Sequence, residues 1–527
     1  MGDGLPLIGV IGAGTMGAGI AQVAAVAGHQ VLLTDAVDGA AARAVDRIRD
    51  RVKAQVAKGR LTVDPDALDI APAENFELAD AGLVIEAVVE DLEVKRRLFA
   101  ELEQVVAADC LLASNSSSLT PTAMAAGLAH PERVVGLHFF NPVPAMRLVE
   151  VISGLATADE AADQAQALAE AWGKTVVRSA ATPGFIVNRI ARPFYAEAWR
   201  LLEEQAAGPA VIDAVLTGAA GFRMGPFALM DLIGHDVNES VTRSVWGSFG
   251  HDPRFAPSLA QRSLVEAGWL GRKAGRGCYD YADGATPPDA QPAPSRPAPA
   301  FVISHGDSGL ERLVARSGVS VQTGAAGDAG DAHDGVVELP GGALLVRCAG
   351  TTATVLAAAG RAGAPDALRG VGMPGGAGAP GIAVAVARPV IVVDRTLDDA
   401  TATAVAVAAS DGCPADTLDL AVGLLQAAGL RVFVIDDVPG LIVTRTVAML
   451  ANLAADAVAG RVASASDIDT AMLLGVNYPR GPLAWAGEWG LGAVLAALDA
   501  LEDWYRDGRY RPSPLLRRAV LSGGSIG

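Results

Sequence analysis

Leu7-Ile8-Gly9-Val10-Ile11-Gly12-Ala13-Gly14-Thr15-Met16-Gly17 is the stretch that decides the fold. Residues 7–11 read as a buried parallel strand. Gly12, Gly14 and Gly17 follow at once in GxGxxG spacing, and residues 18–27 read as a helix of small residues. Residues 30–34 read as a second strand ending in Asp35. GxGxxG alone is a weak signal, but a strand before it, a helix after it and an acid closing the next strand make it strong. Gly12 permits the tight turn, Gly14 lets the backbone approach a pyrophosphate, and Gly17 allows close helix–sheet packing. The turn Gly12, Gly14, Thr15, Met16, Gly17 offers phosphates the free N–H groups of a helix N-terminus. Asp35 accepts hydrogen bonds from ribose hydroxyls and repels a 2′-phosphate, which favours NAD over NADP. The plainer alternative is a glycine turn that only packs a helix on a strand.

Outward from this turn, further strands are expected at 82–87, 110–114, 133–139, 147–152 and 175–178, with helices between most of them. That alternation predicts an α/β, Rossmann-type doubly wound parallel sheet. Pro183-Gly184 punctuates the chain, and the pattern turns helical from about 185 to 270. Residues 282–300 hold six prolines and read as an extended, exposed linker.

A repeat organises the rest. Pro183-Gly184-Phe185-Ile186-Val187-Asn188-Arg189 recurs as Pro439-Gly440-Leu441-Ile442-Val443-Thr444-Arg445, an offset of 256. The same offset relates Ile212-Asp213 to Ile468-Asp469 and Gly225-Pro226 to Gly481-Pro482. The all-α domain is therefore present twice. Between the copies, 301–436 reads as a degenerate α/β region with strands at 301–303, 343–347, 389–393 and 431–435. The first of these is not followed by a GxGxxG turn, and the glycine-rich stretch 370–381 reads as a loop. Five segments are thus expected: 1–183 NAD-binding, 184–281 first helical copy, 282–300 linker, 301–436 degenerate α/β, and 437–527 second helical copy.

At about 150 residues per domain, 527 residues suit such a chain. With 51% hydrophobic and 19% charged residues it can bury large cores. The net charge of −18 argues against nucleic-acid or anionic-membrane partners. Four cysteines, none in CxxC spacing, give neither a disulfide framework nor a structural metal site. No metal is expected. The N-terminus lacks the pattern of a secretory signal, and no apolar run reaches transmembrane length. The expectation is a cytoplasmic protein.

Three more stretches carry chemistry. Ser114-Asn115-Ser116-Ser117-Ser118-Leu119 closes a strand at the edge where open α/β sheets bind ligands. It reads equally as the N-cap of a helix at 121–126. Leu137-His138-Phe139-Phe140-Asn141-Pro142 ends another strand, and Arg147-Leu148-Val149-Glu150-Val151 begins the next. A turn between them brings His138 and Glu150 together. A carboxylate beside imidazole fixes its tautomer and suits it as a general base, although a lone strand histidine is more often core. Arg43, Arg47, Arg49, Arg51, Lys53, Lys58 and Arg60 form a basic island, read as a solvated helix face with part of it, Lys53 and Lys58, available to a phosphorylated ligand.

Together these motifs resemble the 3-hydroxyacyl-CoA dehydrogenase family over residues 7–281. The match includes Glu90 with Lys95, Pro-Gly-Phe-x-x-Asn-Arg, and Gly271-Arg272-Lys273-Ala274-Gly275-Arg276-Gly277. Cys278 stands where the family usually has Phe. The resemblance implies His138 as catalytic base with Glu150 as partner, and Ser117 and Asn188 at the substrate. It places Asp35, Glu90, Lys95, Asn115, Asn141 and Lys273 beside NAD. It implies oxidation of an (S)-3-hydroxyacyl-CoA. The duplicated helical domain resembles a long branch linked to phenylacetate degradation, with 3-hydroxyadipyl-CoA as substrate. The alternatives are a dehydrogenase of free hydroxy acids and a non-catalytic NAD-binding or structural protein. A second enzyme in the C-terminal half is disfavoured, because Thr444 replaces Asn188. In short family members the helical domain is the dimer interface, so the two copies are expected to form an intramolecular pseudo-dimer through 184–281 and 440–520. Further homo-oligomerisation and the acyl length stay open.

Overall fold

A computed structural model describes residues 5–283, 285, 289–305, 309–324, 336–359 and 388–526. The stretch 370–381 lies outside them. The chain forms two compact units, one of residues 1–189 with 460–476, the other of residues 190–459 with 477–527.

The first unit is built on eight strands: β1 (Leu7–Ile11), β2 (Val31–Thr34), β3 (Ile70–Pro72), β4 (Ala81–Glu86), β5 (Leu111–Ser114), β6 (Val134–Phe139), β7 (Leu148–Ser153) and β8 (Thr175–Ala180). Their order is β3-β2-β1-β4-β5-β6-β7-β8. All neighbours are parallel except β6 and β7, which the short turn after Phe139 makes antiparallel. The expected all-parallel sheet is therefore mixed. Apolar clusters cover both faces, which is why the strands read as continuous apolar runs. Fully burying a side chain such as Phe99 contributes about 1.5–3 kcal/mol. The chain order reverses between β1 and β4, so the ligand crevice falls at the C-terminal ends of those strands.

Segment 460–476 belongs to the second helical copy in sequence but packs in this first unit. Helix Ala465–Gly475 lies on β7 and β8, and Ala180 N donates to Val462 O at 2.7 Å.

The second unit holds a mixed sheet of β9 (Phe301–His305), β10 (Ser320–Thr323), β11 (Val336–Glu338), β12 (Leu344–Arg347), β13 (Val390–Val393), β14 (Ala404–Ala409) and β15 (Arg431–Val434), ordered β10-β9-β11-β12-β13-β14-β15. β14 was unexpected, since its sequence is mostly alanine. The Pro-rich segment is not a free tether. Ala290 is buried, Ala293 N donates to Val432 O, and Arg296 N donates to Gln426 Oε1. Prolines lack N–H groups, and two of those that remain here, on Ala293 and Arg296, are satisfied against β15 and its neighbouring helix.

Helix Arg192–Glu203 of the first copy packs on helix Val443–Ala459 of the second. Between them lies a buried ionic cluster. Arg445 donates to Glu197 Oε2 (3.2 Å), Glu204 Oε2 (2.9 Å), and the hydroxyls of Tyr505 (3.1 Å) and Tyr510 (2.7 Å). Glu197 also accepts from Arg509 Nε (3.0 Å) and Tyr510 (2.8 Å).

Candidate active site

Gly12 turns with φ of 102°, and a Cβ there would lie 2.6 Å from Ala87 O. A Cβ on Gly17 would lie 1.8 Å from Gly12 O, so only glycine lets the helix approach the strand. A Cβ on Gly14 meets nothing within 4 Å. Gly14 is thus not required by the protein's own packing, and the open space before it suits a pyrophosphate. The first turn of helix Thr15–Val26 has no side-chain cap and no acid, which leaves its dipole to an anion. Asp35 accepts from Ala13 N (2.7 Å) and Val37 N (2.8 Å), fixing it beside the turn. These residues fit NAD. Asp35→Ala is expected to lower the NAD/NADP ratio of kcat/KM by about tenfold. Loosening of Ala13 would weaken both cofactors, so the ratio is the readout, and an unchanged ratio removes Asp35 from the ribose.

At the ends of β4 and β5 stands an acidic network of which sequence reading named Glu90 and Lys95 but missed Glu86. Glu86 and Lys95 are both buried, and Lys95 Nζ donates to the two Glu86 oxygens at 2.7 and 2.8 Å. Ser114 Oγ also donates to Glu86. Lys95 stands 3.4 Å from Glu90 Oε2. Glu90 Oε1 accepts from Ser116 Oγ (2.6 Å), Ser118 Oγ (2.8 Å), Ser118 N (3.0 Å) and Ser117 N (3.2 Å). Burial pushes the Glu90 carboxyl up, but Ser116, Lys95 and Ser118 outweigh it and hold it below the usual range. Glu90 therefore shapes the serine loop that carries Ser117. The helix cap beyond it is Thr120, which accepts from Ala123 N, and not a serine of the run. The signal for Glu86 was an acid closing an otherwise apolar strand.

His138 and Glu150 are register partners across β6 and β7. His138 Nδ1 donates to Glu150 Oε2 at 2.6 Å, and both residues are buried. The other Glu150 oxygen accepts from Ile186 N (3.1 Å) and Val187 N (3.0 Å). The Pro183-Gly184 turn delivers those N–H groups and leads into Asn188 on helix Val187–Ile190. The His138 ring lies 4.6 Å from Phe140 and 5.8 Å from Phe185. Asn115 Oδ1 accepts from Phe139 N at 2.9 Å, tying the serine loop to the histidine strand. Lys174 donates to Val143 O (2.6 Å) and Met146 O (2.8 Å), which fixes the turn after Asn141.

Other expected residues have partners of their own. Lys53 pairs with Asp66 at 2.9 Å on an exposed helix, and Lys58 follows that helix. Within the island, Arg49 donates to Ile70 O and Arg51 to Gln22 Oε1, so part of it is structural. Lys273 is in the second unit, paired with Asp236 at 2.6 Å. Also there, Asp231, His235 and Cys278 bring their ligand atoms within 4.8 Å of one another. Asp231 is already the acceptor for His235 Nε2, Cys278 N, Tyr279 N and Tyr281 OH, so the cluster reads as a buried hydrogen-bonded pair.

The second sheet repeats the geometry without its chemistry. Leu148 pairs with Thr175 as Ala404 pairs with Arg431, at the same offset of 256. That register sets Asp394 at the place of His138 and Ala406 at that of Glu150; Asp394 N donates to Ala406 O. Asp394 turns its carboxylate onto Ile442 N, Val443 N, Thr444 N and Thr444 Oγ1.

Residues 7–182 match the NAD binding domain of 3-hydroxyacyl-CoA dehydrogenase, and 184–281 and 440–525 both match its C-terminal domain. The chain belongs to the 3-hydroxyacyl-CoA dehydrogenase family. Residues 375–439 match the reduced Rossmann-fold domain of 3-hydroxybutyryl-CoA dehydrogenase. The 3-hydroxyadipyl-CoA dehydrogenase of Escherichia coli (strain K12) is 44% identical over 522 residues, 98% of each chain. A probable 3-hydroxybutyryl-CoA dehydrogenase of Bacillus subtilis (strain 168) is 42% identical over 276 residues, 52% of this chain and 96% of that one. The crystal structure of 3-hydroxybutyryl-CoA dehydrogenase from Escherichia coli K12 substr. MG1655 superposes with a TM-score of 0.85 at 43% identity, covering 99% of both chains. Like its family, the chain is an NAD-dependent 3-hydroxyacyl-CoA dehydrogenase.

Proposed function

We propose that His138 serves as base and Glu150 as its partner in the NAD-dependent oxidation of the C3 hydroxyl of an (S)-3-hydroxyacyl-CoA, with 3-hydroxyadipyl-CoA as the preferred substrate. The observation that carries the reading is the 2.6 Å bond from His138 Nδ1 to Glu150 Oε2. A ring that donates through Nδ1 presents the Nε2 lone pair to a substrate hydroxyl. His138 then takes the hydroxyl proton, and Glu150 stabilises the imidazolium that forms. Two backbone N–H groups hold Glu150 in place for this. Bound NAD supplies the acceptor for the hydride from C3. Ser117 and Asn188 orient the C3 oxygen and the thioester region. Asn141, Asn115, Glu90 and Lys95 shape the nicotinamide side, the last two through the serine loop. Lys273 belongs to the same reading as a contact of the cofactor.

The acyl assignment leans on the long Escherichia coli relative, which matches along nearly all of both chains. The same likeness supports a place in phenylacetate degradation. The helical copies act as an internal pseudo-dimer, a reading supported by the Arg445–Glu197 pair between them. Four free thiols fit a reducing cytoplasm. Among the described residues no helix is long and apolar enough to cross a membrane.

The test compares kcat/KM for 3-hydroxyadipyl-CoA, 3-hydroxybutyryl-CoA and free 3-hydroxybutyrate. The adipyl ester is expected to lead and the free acid to be rejected. Charge reversal at Lys53 or Lys58 is expected to raise KM for the CoA esters and spare kcat, as lost uniform binding does. Turnover of the free acid at the rate of the esters would contradict the proposal.

A further inference from the structure

Helix Ala465–Gly475 ends in a glycine whose φ is not positive, so the backbone does not demand glycine there. Space does. A Cβ on Gly475 would lie 2.7 Å from Leu148 Cδ2, 3.1 Å from Val187 Cγ2 and 3.6 Å from Phe140 Cε1. Each of those residues adjoins the dyad. Leu148 opens the strand that carries Glu150. Val187 donates its N–H to Glu150. Phe140 packs against the His138 ring.

The second half repeats this close approach. Gly218 ends the matching helix of the first copy, Pro209–Gly218, and also lacks a positive φ. Its added Cβ would lie 2.6 Å from Ala404 Cβ, and Ala404 is the offset-256 counterpart of Leu148. The backbone bonds repeat as well. Ala180 N donates to Val462 O, and Asp436 N to Ala206 O, again 256 apart. Each sheet therefore receives a helix of the helical copy that follows the other sheet. Only the first sheet carries His138 and Glu150, so only there does this helix stand behind a catalytic pair.

We propose that residues 460–476 are part of the catalytic unit, and that Gly475 is a positioning residue that sets His138 through Phe140 and Glu150 through Val187. This rests on His138 being the base. On this reading the second helical copy supplies the rear wall of the active site, and its retention is not explained by packing of the copies alone. A misplacement of about 1 Å can cost on the order of a hundredfold in rate, so a side chain at 475 is expected to act through the placing of the dyad.

The experiment uses the full chain with Gly475→Val. The expected result is a fall in kcat of about tenfold or more, with the Kd for NADH unchanged and a native melting transition. Leu148→Ala added to that variant removes the nearest clash and is expected to restore kcat to within about threefold. Gly475→Ala is the milder variant should Val prevent folding, with a fall of about threefold to tenfold, again reversed by Leu148→Ala. His138→Gln in the same assay separates the two readings. Full activity there removes the base assignment. Inactivity there, with wild-type kcat in the folded Gly475 variants, overturns this proposal alone. A loss of rate only in proportion to folded protein, with no rescue by Leu148→Ala, also overturns it.

Discussion

His138→Gln is expected to lower kcat by about 10²–10⁴-fold while the Kd for NADH stays within about twofold. His138 belongs to β6, and its ring bonds to Glu150 on β7. The cofactor turn hangs on β1 and β2 through Gly12 and Asp35. Removing the imidazole takes away the proton acceptor without touching that turn. Glutamine keeps a donor for Glu150, so the buried carboxylate is not orphaned and the fold survives. Turnover within about threefold of wild type would sink the assignment.

Arg445→Met carries the largest expected effect on stability, a loss of about 3 kcal/mol or more. Removing one partner of a buried ion pair typically costs about 3–5 kcal/mol, because the remaining charge is stranded. Here Glu197 keeps Arg509 and Tyr510, which places the loss toward the lower end. Glu204, half-buried, loses its closest cation as well. Denaturant midpoints measure this, and a change below about 1 kcal/mol would show the cluster to be ornamental to folding. A chain ending at residue 281 lacks Arg445, Arg509 and Tyr510 together. It is expected to dimerise or aggregate, as light scattering would show, and a fully active monomer would contradict the pseudo-dimer.

The turn Gly12–Gly17 and the pairing of His138 with Glu150 were legible because each rests on local spacing. A twelve-residue separation across a short turn permits few registers, and one of them sets the two side chains face to face. The repeat was legible because helix starts such as Pro183-Gly184 and Pro439-Gly440 carry their own punctuation. What was missed depends on distant neighbours. Glu86 gains its role only from Ser114 on the adjacent strand and Lys95 on the helix that follows β4. β3 ends in Pro72 and is an edge strand, which is where a proline is tolerated. β14 alternates alanine and valine, and alanine signals helix as readily as a buried strand. The placement of 460–476 in the first unit is a tertiary exchange that leaves no trace in hydrophobic periodicity. Its one mark is Gly475, a glycine that no turn requires.

The proposed function gives each chain one working site, in the first half, acting on a CoA thioester. The most direct measurement loads the full chain with NADH, adds excess 3-oxobutyryl-CoA, and counts NADH consumed per chain in the first turnover. One per chain is the predicted result, because Asp394 and Ala406 stand where a second dyad would need His and Glu. Two per chain, or consumption with free 3-oxobutyrate but not with the thioester, would contradict the account.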